Sequence, residues 1–454
     1  MKKLYLPVLL MTCLLMAACG DADKTKENDA STSITVETET SNGSVTDVTT
    51  EASDDNGAAQ LSDNDKIYDF AIECWKKRDV APLYEYCSKD IKALIDEDGF
   101  IGMFDDFIDN FGAITSVDEK DVVEAQGMQS YCTTVHFENA DCPASFTFIN
   151  GELGGISMLP TFTKDFTKEV SDTVKEDYFQ IDSDGYKLTA VFTYSGSDAQ
   201  PTVLLINGSG PSDYNEATGL VAPFEEIARR LADKGINSLR MEKRTYRFGD
   251  KFKPTDDLDE EYFTDFGNAY KWLQNDSRVS DIYIVGHSLG AQIALEMSDE
   301  YKPAGLVFLN GTMRHLADVA YDQYVEADPA NKAAYTQMFS AAKAVTAANV
   351  SGANYGGLTD YYWADYNDMD LEGDLKAVAI PVTIINCGAD SQIYDADIDL
   401  FKTLIEGKDN CTFTLLQGIN HFGYKSEGQN AYDTFKNREF ATEIIDAIAA
   451  GIKK

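Results

Sequence analysis

The sequence predicts an α/β protein, in which a mostly parallel sheet has helices on both faces and is preceded by a smaller α+β domain. From about residue 165 to 454, short apolar runs rich in β-branched residues alternate with helical patterns, as in sheets built with crossover helices. From about residue 62 to 160, helical periodicity comes first and period-two alternation follows. Each stretch is long enough to bury a core of its own, so two folded domains are expected.

Residues 1–19 are predicted to be an export signal, in which two lysines precede an apolar run that is short for a membrane span. The ending LLMAAC resembles a bacterial lipoprotein box, which implies cleavage before Cys19 and lipidation of its thiol. Ordinary secretion and an uncleaved anchor are the alternatives. Residues 20–61 are rich in Ser, Thr, Asp and Glu and lack aromatic residues and proline, which predicts a flexible tether. We therefore expect an extracytoplasmic protein that is held at the cell membrane by its N-terminal lipid only, or is secreted.

The charge of the chain excludes some partners. The sequence has 77 acidic and 38 basic residues and a formal net charge of -39. This composition argues against nucleic acid and against electrostatic binding to anionic lipid. No spacing of His and Cys resembles a zinc site, so neither a metal nor a cofactor is predicted.

The cysteines fit an exported protein. Three disulfide pairings are possible among the four cysteines of the first domain. Cys74–Cys87 with Cys132–Cys142 is the local choice, and buried free thiols are the alternative. Cys387 and Cys411 are expected at opposite ends of neighbouring parallel strands, too far apart to form a bond.

The first domain, residues 62–160, is predicted to begin with an amphipathic helix over Ile67–Lys77 and to stay helical as far as Phe111. Antiparallel strands follow at Thr115–Ala125, Met128–Glu138, Ala144–Asn150 and Leu153–Leu159. This layout resembles the small cystatin-like or nuclear-transport-factor-like cone domains that precede secreted bacterial hydrolases. His136 lies in one of the strands and is expected to be a packed or surface residue.

The second domain, residues 165–454, opens with a hairpin of Tyr178–Asp182 and Lys187–Tyr194. The later strands are predicted at Thr202–Ile206, Ile236–Arg240, Gly305–Leu309, Pro381–Asn386 and Thr412–Leu416, and the helices at Pro223–Lys234, Tyr262–Asn275, Ala396–Ile405 and from about Tyr432.

The most informative stretch of this domain is Ile282–Met297. A short apolar strand leads into Gly286-His287-Ser288-Leu289-Gly290, and a helical pattern follows. This is a G-x-S-x-G sequence in the strand–turn–helix setting of a nucleophilic serine, and a Gly-Ser turn without a catalytic role is the alternative. The serine must stand clear of the sheet, where a base can reach it. The Leu289 N–H would lie at a helix N-terminus and could bind a developing oxyanion.

Two partners for Ser288 are expected in the order acid, then histidine. Among the four histidines, only His421 follows the last predicted strand, so it is the candidate base. Asp390 follows the strand that ends near Asn386 and is the favoured acid, with Asp395 and Asp397 as rivals. His287 is expected to pack beneath the nucleophile, and His315 is at most a substrate-side residue.

A second oxyanion donor is expected in the loop Asn207–Pro211, whose glycines let backbone N–H groups approach a ligand. Gly208 and Ser209 are the candidates, and a flexible loop without this role is the alternative.

Taken in order, G-S-G-P after the third strand, Lys243-Arg244 after the fourth, G-H-S-L-G, the segment 388–393 and G-I-N-H resemble the bacterial secreted acetyl-esterase-like α/β-hydrolases. The resemblance covers about Val174 to the C-terminus. It implies the α/β-hydrolase fold and hydrolysis of short-chain acyl esters through an acyl-enzyme on Ser288. Relatives often have histidine at the position of Asn207, which bears on the shape of the oxyanion loop and on acyl preference.

An insertion at about 311–376 is predicted to form a helical cap, with helices near Leu316–Ala327 and Ala330–Ala348. Its many aromatic residues either line the substrate pocket or pack the core of the cap itself. The run Tyr361-Tyr362-Trp363 could instead stack on a carbohydrate, which would make an acetylated carbohydrate a candidate substrate. Peptidase or amidase chemistry on the same three residues, and a surface lipoprotein that only binds ligands, are the alternative functions.

Overall fold

A computed structural model describes residues 63–452 except 126, 219–220, 252, 254, 256 and 427–437. The predicted signal, the tether and the lipidation site Cys19 lie outside the described residues. Within the described part of the chain, no helix has the length and apolar character that a membrane crossing requires.

The first domain has the predicted order of helices followed by strands. Its helices are Asn64–Lys77, Ala81–Tyr84, Lys89–Leu94 and Glu97–Phe111. Its antiparallel sheet consists of Ile114–Val117, Asp121–Ala125, Met128–Phe137, Ala140–Ile149, Glu152–Met158 and Thr161–Phe162.

The prediction of one strand over Thr115–Ala125 is wrong. Two short strands, Ile114–Val117 and Asp121–Ala125, both pair with Met128–Phe137, with Ile114 opposite Phe137 and Asp121 opposite Cys132. The charged residues between them interrupt the period-two pattern, and the chain leaves the sheet edge there.

The cysteine pairings predicted for this domain are also wrong. Cys74, Cys87 and Cys142 are buried free thiols, and each of the three possible pairings needs at least one of them. They behave as small hydrophobic residues of the core. In the second domain Cys387 and Cys411 are free as expected. Cys411 pairs with Val382 and Cys387 with Leu416, at opposite ends of two parallel strands.

The second domain is built on a sheet of nine strands. Along the sheet they lie in the order Cys411–Leu416, Val382–Cys387, Gly305–Leu309, Val279–His287, Gln200–Ile206, Asn237–Met241, Tyr186–Ser195, Val174–Ser183 and Phe166–Glu169. The first six are parallel and the last three are antiparallel to their neighbours. This order, with an antiparallel hairpin beside the strand Asn237–Met241, is that of the α/β-hydrolase fold, as predicted.

The predicted opening hairpin is confirmed, and its turn explains the local sequence. Asp184 and Gly185 have φ angles of 54° and 86°, which a two-residue hairpin turn requires at both central positions. Before the hairpin, the chain changes sheets between Phe162 and Phe166.

The second domain has ten described α-helices, of which Leu316–Ala327, Lys332–Lys343 and Asp360–Asp368 belong to the cap. The helices are Pro223–Ala232, Arg244–Phe248, Asp265–Asn275, Gly290–Tyr301, Leu316–Ala327, Lys332–Lys343, Asp360–Asp368, Leu371–Ala377, Asp395–Leu404 and Thr442–Ile452. A π-helical turn, Asp259–Thr264, precedes Asp265–Asn275, and 3-10 turns lie at Gly249–Lys251 and Pro329–Asn331. The last described helix begins at Thr442, and the start predicted near Tyr432 lies outside the described residues.

A buried ionic cluster lies under the antiparallel end of the sheet. Glu176 and Arg240 are both fully buried and 2.8 Å apart, and Arg229 approaches the second carboxylate oxygen of Glu176 at 2.9 Å. Burial opposes ionisation of Glu176, but the charges of Arg240 and Arg229 prevail and hold its pKa below the ordinary value of 4.5. Glu176 is therefore ionised and compensated in the folded protein.

Replacing Glu176 with Gln is expected to lower the free energy of unfolding by about 3–5 kcal/mol, because Arg240 then keeps a buried charge without its partner. The control Glu169→Gln breaks only an exposed pair with Lys175 and should change it by less than about 1 kcal/mol. Denaturant unfolding at neutral pH measures both variants.

The ion pair of Glu176 and Arg240 also predicts that the free energy of unfolding depends on pH. Because the folded-state pKa of Glu176 is lowered, its contribution is complete above the ordinary value of 4.5 and is lost as the pH falls toward the folded-state value. The difference between wild type and Glu176→Gln should therefore shrink in acid. Equal stability of the two proteins at neutral pH would contradict this account.

Candidate active site

The predicted strand–turn–helix around Ser288 is present. The strand Val279–His287 ends immediately before Ser288, and the helix Gly290–Tyr301 begins two residues later. Ser288 has a φ of 55°, in the left-handed region that non-glycine residues rarely adopt. Its N–H donates to the carbonyl of Leu309 at 2.9 Å, and its own carbonyl accepts from Ala291 at 3.1 Å. The backbone at Ser288 is therefore strained and held from both sides.

Two glycines make this turn possible. A Cβ on Gly286 would lie 2.1 Å from the carbonyl oxygen of Gly290, and one on Gly290 would lie 2.3 Å from the carbonyl oxygen of Ile206. Any side chain at either position would push the helix away from the strands. The sharp reversal presents Ser288, which is partly exposed, at the carboxyl edge of the sheet.

Asp390 and His421 form the predicted acid–base pair. His421 Nδ1 lies 2.7 Å from Asp390 Oδ2. The other carboxylate oxygen of Asp390 accepts from the N–H groups of Gln392 at 2.7 Å and Ile393 at 3.1 Å. Both side chains are buried. Contact through Nδ1 leaves Nε2 of His421 as the nitrogen that can exchange a proton with a serine hydroxyl.

Further contacts bring His421 to the turn that carries Ser288. The carbonyl of His421 accepts from the Asn310 side chain at 2.6 Å and lies 2.9 Å from Nε2 of His287, the residue before Ser288. The rings of His287 and His421 are 4.6 Å apart. Ser288, Asp390 and His421 follow the strands Val279–His287, Val382–Cys387 and Cys411–Leu416, so all three lie at the same edge of the sheet.

The two rival acids, Asp395 and Asp397, have other surroundings. Asp395 is exposed. Asp397 is buried, but its carboxylate accepts from the Thr312 hydroxyl at 2.5 Å and from the Tyr394 N–H at 2.8 Å, which fixes the start of the helix Asp395–Leu404.

The two other histidines, His315 and His136, make structural contacts. His315 Nδ1 accepts from the Ala317 N–H at 3.1 Å at the start of a cap helix, and burial lowers the pKa of this histidine. His136 lies in the first domain between Asp141 and Asp118, whose hydrogen bonds raise its pKa.

The oxyanion loop, residues 207–216, differs from the prediction in one respect. The N–H of Gly208 donates to Oε1 of Glu216 at 2.6 Å, so this donor is already engaged. The predicted role of Gly208 as a donor is therefore not supported. The loop does lie beside the nucleophile, since a Cβ on Gly208 would be 3.0 Å from Cβ of Ser288. Ser209 is exposed next to it, and Leu289 immediately precedes the helix, where the first N–H groups lack partners within the helix.

Lys243 fixes the carbonyl side of this loop. Its ammonium group is fully buried and donates to the carbonyls of Gly210 at 2.7 Å and Gly208 at 3.3 Å. Tyr262 donates its hydroxyl to the same Gly208 carbonyl at 2.5 Å, and Glu261 lies 2.9 Å from the ammonium. In the sequence, Lys243 stands out only through the family resemblance, and Tyr262 only as the first residue of a predicted helix.

Glu216 is the functional-site residue that sequence reasoning missed. Glu216 contacts His287 as well as Gly208. Its Oε2 lies 2.9 Å from His287 Nδ1, although these two atoms are not aligned as a hydrogen bond. Burial lowers the pKa of His287, but the charge of Glu216 more than offsets this, and the pKa is raised. His287 is buried as predicted. No local pattern around Glu216 signals these contacts.

The cap packs directly onto the nucleophile helix. Gln292, one turn beyond Ser288, donates to the carbonyls of Thr312 at 2.9 Å and Arg314 at 3.0 Å, and accepts from the Tyr366 hydroxyl at 2.8 Å. The glutamine therefore joins the beginning of the cap and the cap helix Asp360–Asp368 to the nucleophile helix.

The proposed carbohydrate-stacking run is contradicted. Tyr362 and Trp363 are buried, and the Trp363 indole donates to the Tyr355 carbonyl at 3.0 Å. The Trp363 ring also lies parallel to His315, 6.2 Å away. These rings form the core of the cap.

Comparison with known proteins identifies similar hydrolases and esterases. Residues 203–404 match the model of the alpha/beta hydrolase family. Esterase EstD of Thermotoga maritima is 27% identical over 384 residues, which cover 81% of this chain and 90% of EstD. That match is longer than the region 165–454, so it extends into the first domain.

Two solved structures are similar to part of this chain. Est1E from Butyrivibrio proteoclasticus has a TM-score of 0.42 and 17% identity, covering 61% of this chain and 99% of that one. The esterase domain of a Rhodothermus marinus protein has a TM-score of 0.36 and 15% identity, covering 58% and 95%.

Replacing Asp390 with Asn is expected to slow covalent labelling of Ser288 by a fluorophosphonate on the order of 10³–10⁴-fold, because the amide no longer holds His421 in the tautomer that accepts the serine proton. The matched control is Asp395→Asn, which changes an exposed residue five positions away and should label at the wild-type rate. Equal slowing in both variants, or none in Asp390→Asn, would contradict the assignment of Asp390.

Proposed function

The chain is a hydrolase with the α/β-hydrolase fold, and on that premise we propose that it is a serine esterase that cleaves short-chain acyl esters, acetyl esters in particular, outside the cytoplasm. The observation that carries the proposal is the assembly of Ser288, His421 and Asp390 at one edge of the sheet, with Asp390 2.7 Å from His421. The similarity to Esterase EstD supports ester over amide chemistry.

The reaction proceeds in two steps. His421 Nε2 takes the proton of the Ser288 hydroxyl while Oγ attacks the ester carbonyl carbon, giving a tetrahedral intermediate. When this collapses, the C–O bond to the alcohol breaks, and His421 returns the proton to the leaving oxygen. A water molecule then attacks the acyl-enzyme, with His421 again accepting and returning one proton, and the carboxylic acid leaves.

Backbone donors stabilise the intermediate. Leu289 supplies one N–H from the helix N-terminus, and Ser209 is the second candidate, since the N–H of Gly208 is engaged by Glu216. Each such donor contributes about 10²–10³ in rate, because it is aimed in advance at the developing charge.

The position of the cap supports a preference for short acyl groups. The contacts of Gln292 with Thr312 and Tyr366 attach the cap to the nucleophile helix four residues after Ser288. A cap attached this near the nucleophile is expected to leave room for short acyl chains only. The predicted signal and Cys19 support an extracytoplasmic location, with a lipid on that thiol as the membrane attachment. Mass spectrometry of the mature N-terminus tests this part separately.

The test of the activity uses chromogenic esters of acetyl, butyryl and octanoyl groups. Wild type should hydrolyse the acetyl ester with a kcat/KM at least about tenfold above the octanoyl ester, because one methylene in a pocket is worth about 1–3 kcal/mol when it no longer fits. Ser288→Ala should lose turnover of every ester. The control Ser298→Ala alters a buried serine on the same helix that donates to the Leu295 carbonyl, and it should remain active.

The outcomes separate the parts of the proposal. Faster turnover of the octanoyl ester would contradict the preference for short acyl chains but would still support esterase activity. Faster turnover of a matched amide would favour an amidase or peptidase. Turnover that persists in Ser288→Ala would exclude Ser288 as the nucleophile. Folded wild-type protein that turns over none of the esters would favour a protein that only binds its ligand.

A further inference from the structure

The hydrophobic core of the first domain does not end at the domain boundary. It continues into the sheet domain through Tyr178 and Val191 of the opening hairpin and through Tyr214 of the oxyanion loop. The two domains therefore share one packed cluster, and one of its members belongs to the loop beside Ser288.

Phe162 is the residue of the first domain that makes this connection. It lies on the last strand of the first sheet, where it pairs with Ala140. Its ring centre is 6.1 Å from that of Tyr214, 5.3 Å from that of Tyr178 and 5.8 Å from that of Phe111. Phe162 and Tyr214 are only 5% and 6% exposed, so the Tyr214 ring is enclosed by a side chain that the sheet domain does not supply.

The residues on either side of Tyr214 are held by hydrogen bonds. The neighbouring Asp213 carbonyl accepts from the side chain of Asn207 at 3.0 Å. The Ser212 carbonyl accepts from the N–H of Lys243 at 3.0 Å, and Asn215 accepts from the buried Arg240 at 2.8 Å. The bond from Asn207 connects the residue before Gly208 with the residue before Tyr214.

A second contact, made by Arg247, joins the same edge of the first domain to the sheet domain. Arg247 donates to the hydroxyl of Thr161 and to the carbonyl of Pro160, both at 2.5 Å, while Glu242 binds its guanidinium at 2.6 Å. Thr161 and Phe162 are adjacent, so the hydrogen bonds of Arg247 fix the strand that presents Phe162.

We propose that the first domain is an intramolecular positioning element of the active site: Phe162 packs against Tyr214 and so holds the oxyanion loop in the geometry that catalysis needs. Phe162 is a positioning residue, because it acts through Tyr214 and touches no reacting atom. This inference rests on the proposed esterase function and assigns a role to the first domain within it.

The experiment compares Phe162→Ala with Phe148→Ala in the full chain, using the acetyl ester. Phe148 is the matched control, because it is a buried phenylalanine of the same cluster whose ring packs on Tyr131, away from Tyr214. Both variants should lower Tm. Only Phe162→Ala should lower kcat, by about tenfold or more with KM within about twofold of wild type, because a displaced oxyanion donor weakens binding of the transition state alone.

A milder variant covers the case in which Phe162→Ala does not fold. Phe162→Leu keeps most of the apolar contact and should fold, with a kcat between those of wild type and Phe162→Ala. A wild-type kcat in a folded Phe162→Ala or Phe162→Leu would overturn the proposal. Equal losses of kcat in Phe162→Ala and Phe148→Ala would also overturn it, since general loosening of the domain would then explain both. Wild-type protein without ester turnover would instead refute the proposed function.

Discussion

The close approach of a strand and a helix at Gly286 and Gly290 is the constraint on which the rest of the active site depends. There is no room for a Cβ at either position, with hypothetical contacts of 2.1 and 2.3 Å to backbone oxygens. This leaves one sharp route from strand to helix, and Ser288 takes it with a φ of 55°. The strain is offset by the packing of the helix on the sheet and by hydrogen bonds to Leu309 and Ala291.

Around that turn, buried charged groups hold loops that apolar contacts alone would not fix. Lys243 and Tyr262 bind the carbonyl of Gly208, and Glu216 binds its N–H, so both polar groups of one peptide position are engaged by side chains. Arg240 reaches the same loop through Asn215. Such groups are costly to bury and stabilise a structure only when they are paired, which makes the loop geometry specific. The first domain adds an apolar contact to the same loop, because Phe162 packs against Tyr214.

The parts of the site that follow from chain order could be predicted from the sequence. Ser288 stands in a local motif, His421 is the only histidine beyond the last strand of the sheet, and Asp390 follows the strand before it. The fold class was predictable for the same reason, since alternating strands and helices leave few possible topologies. What could not be predicted depends on contacts between distant residues. The bond between Glu216 and Gly208 has no local signature, and neither does the burial of Trp363 or the free state of the Cys74, Cys87 and Cys142 thiols.

The most direct test of the central claim, that Ser288 forms an acyl-enzyme, is to map the covalent adduct by peptide mass spectrometry after rapid acid quenching of the acetyl ester reaction. His421→Ala should be included, because loss of the base slows deacylation as well as acylation and shows whether the adduct depends on it. The account predicts an acetyl group on the peptide that contains Ser288, in wild type and at a strongly reduced rate in His421→Ala. An acetyl group on another residue, or turnover without any acylated peptide, would contradict it.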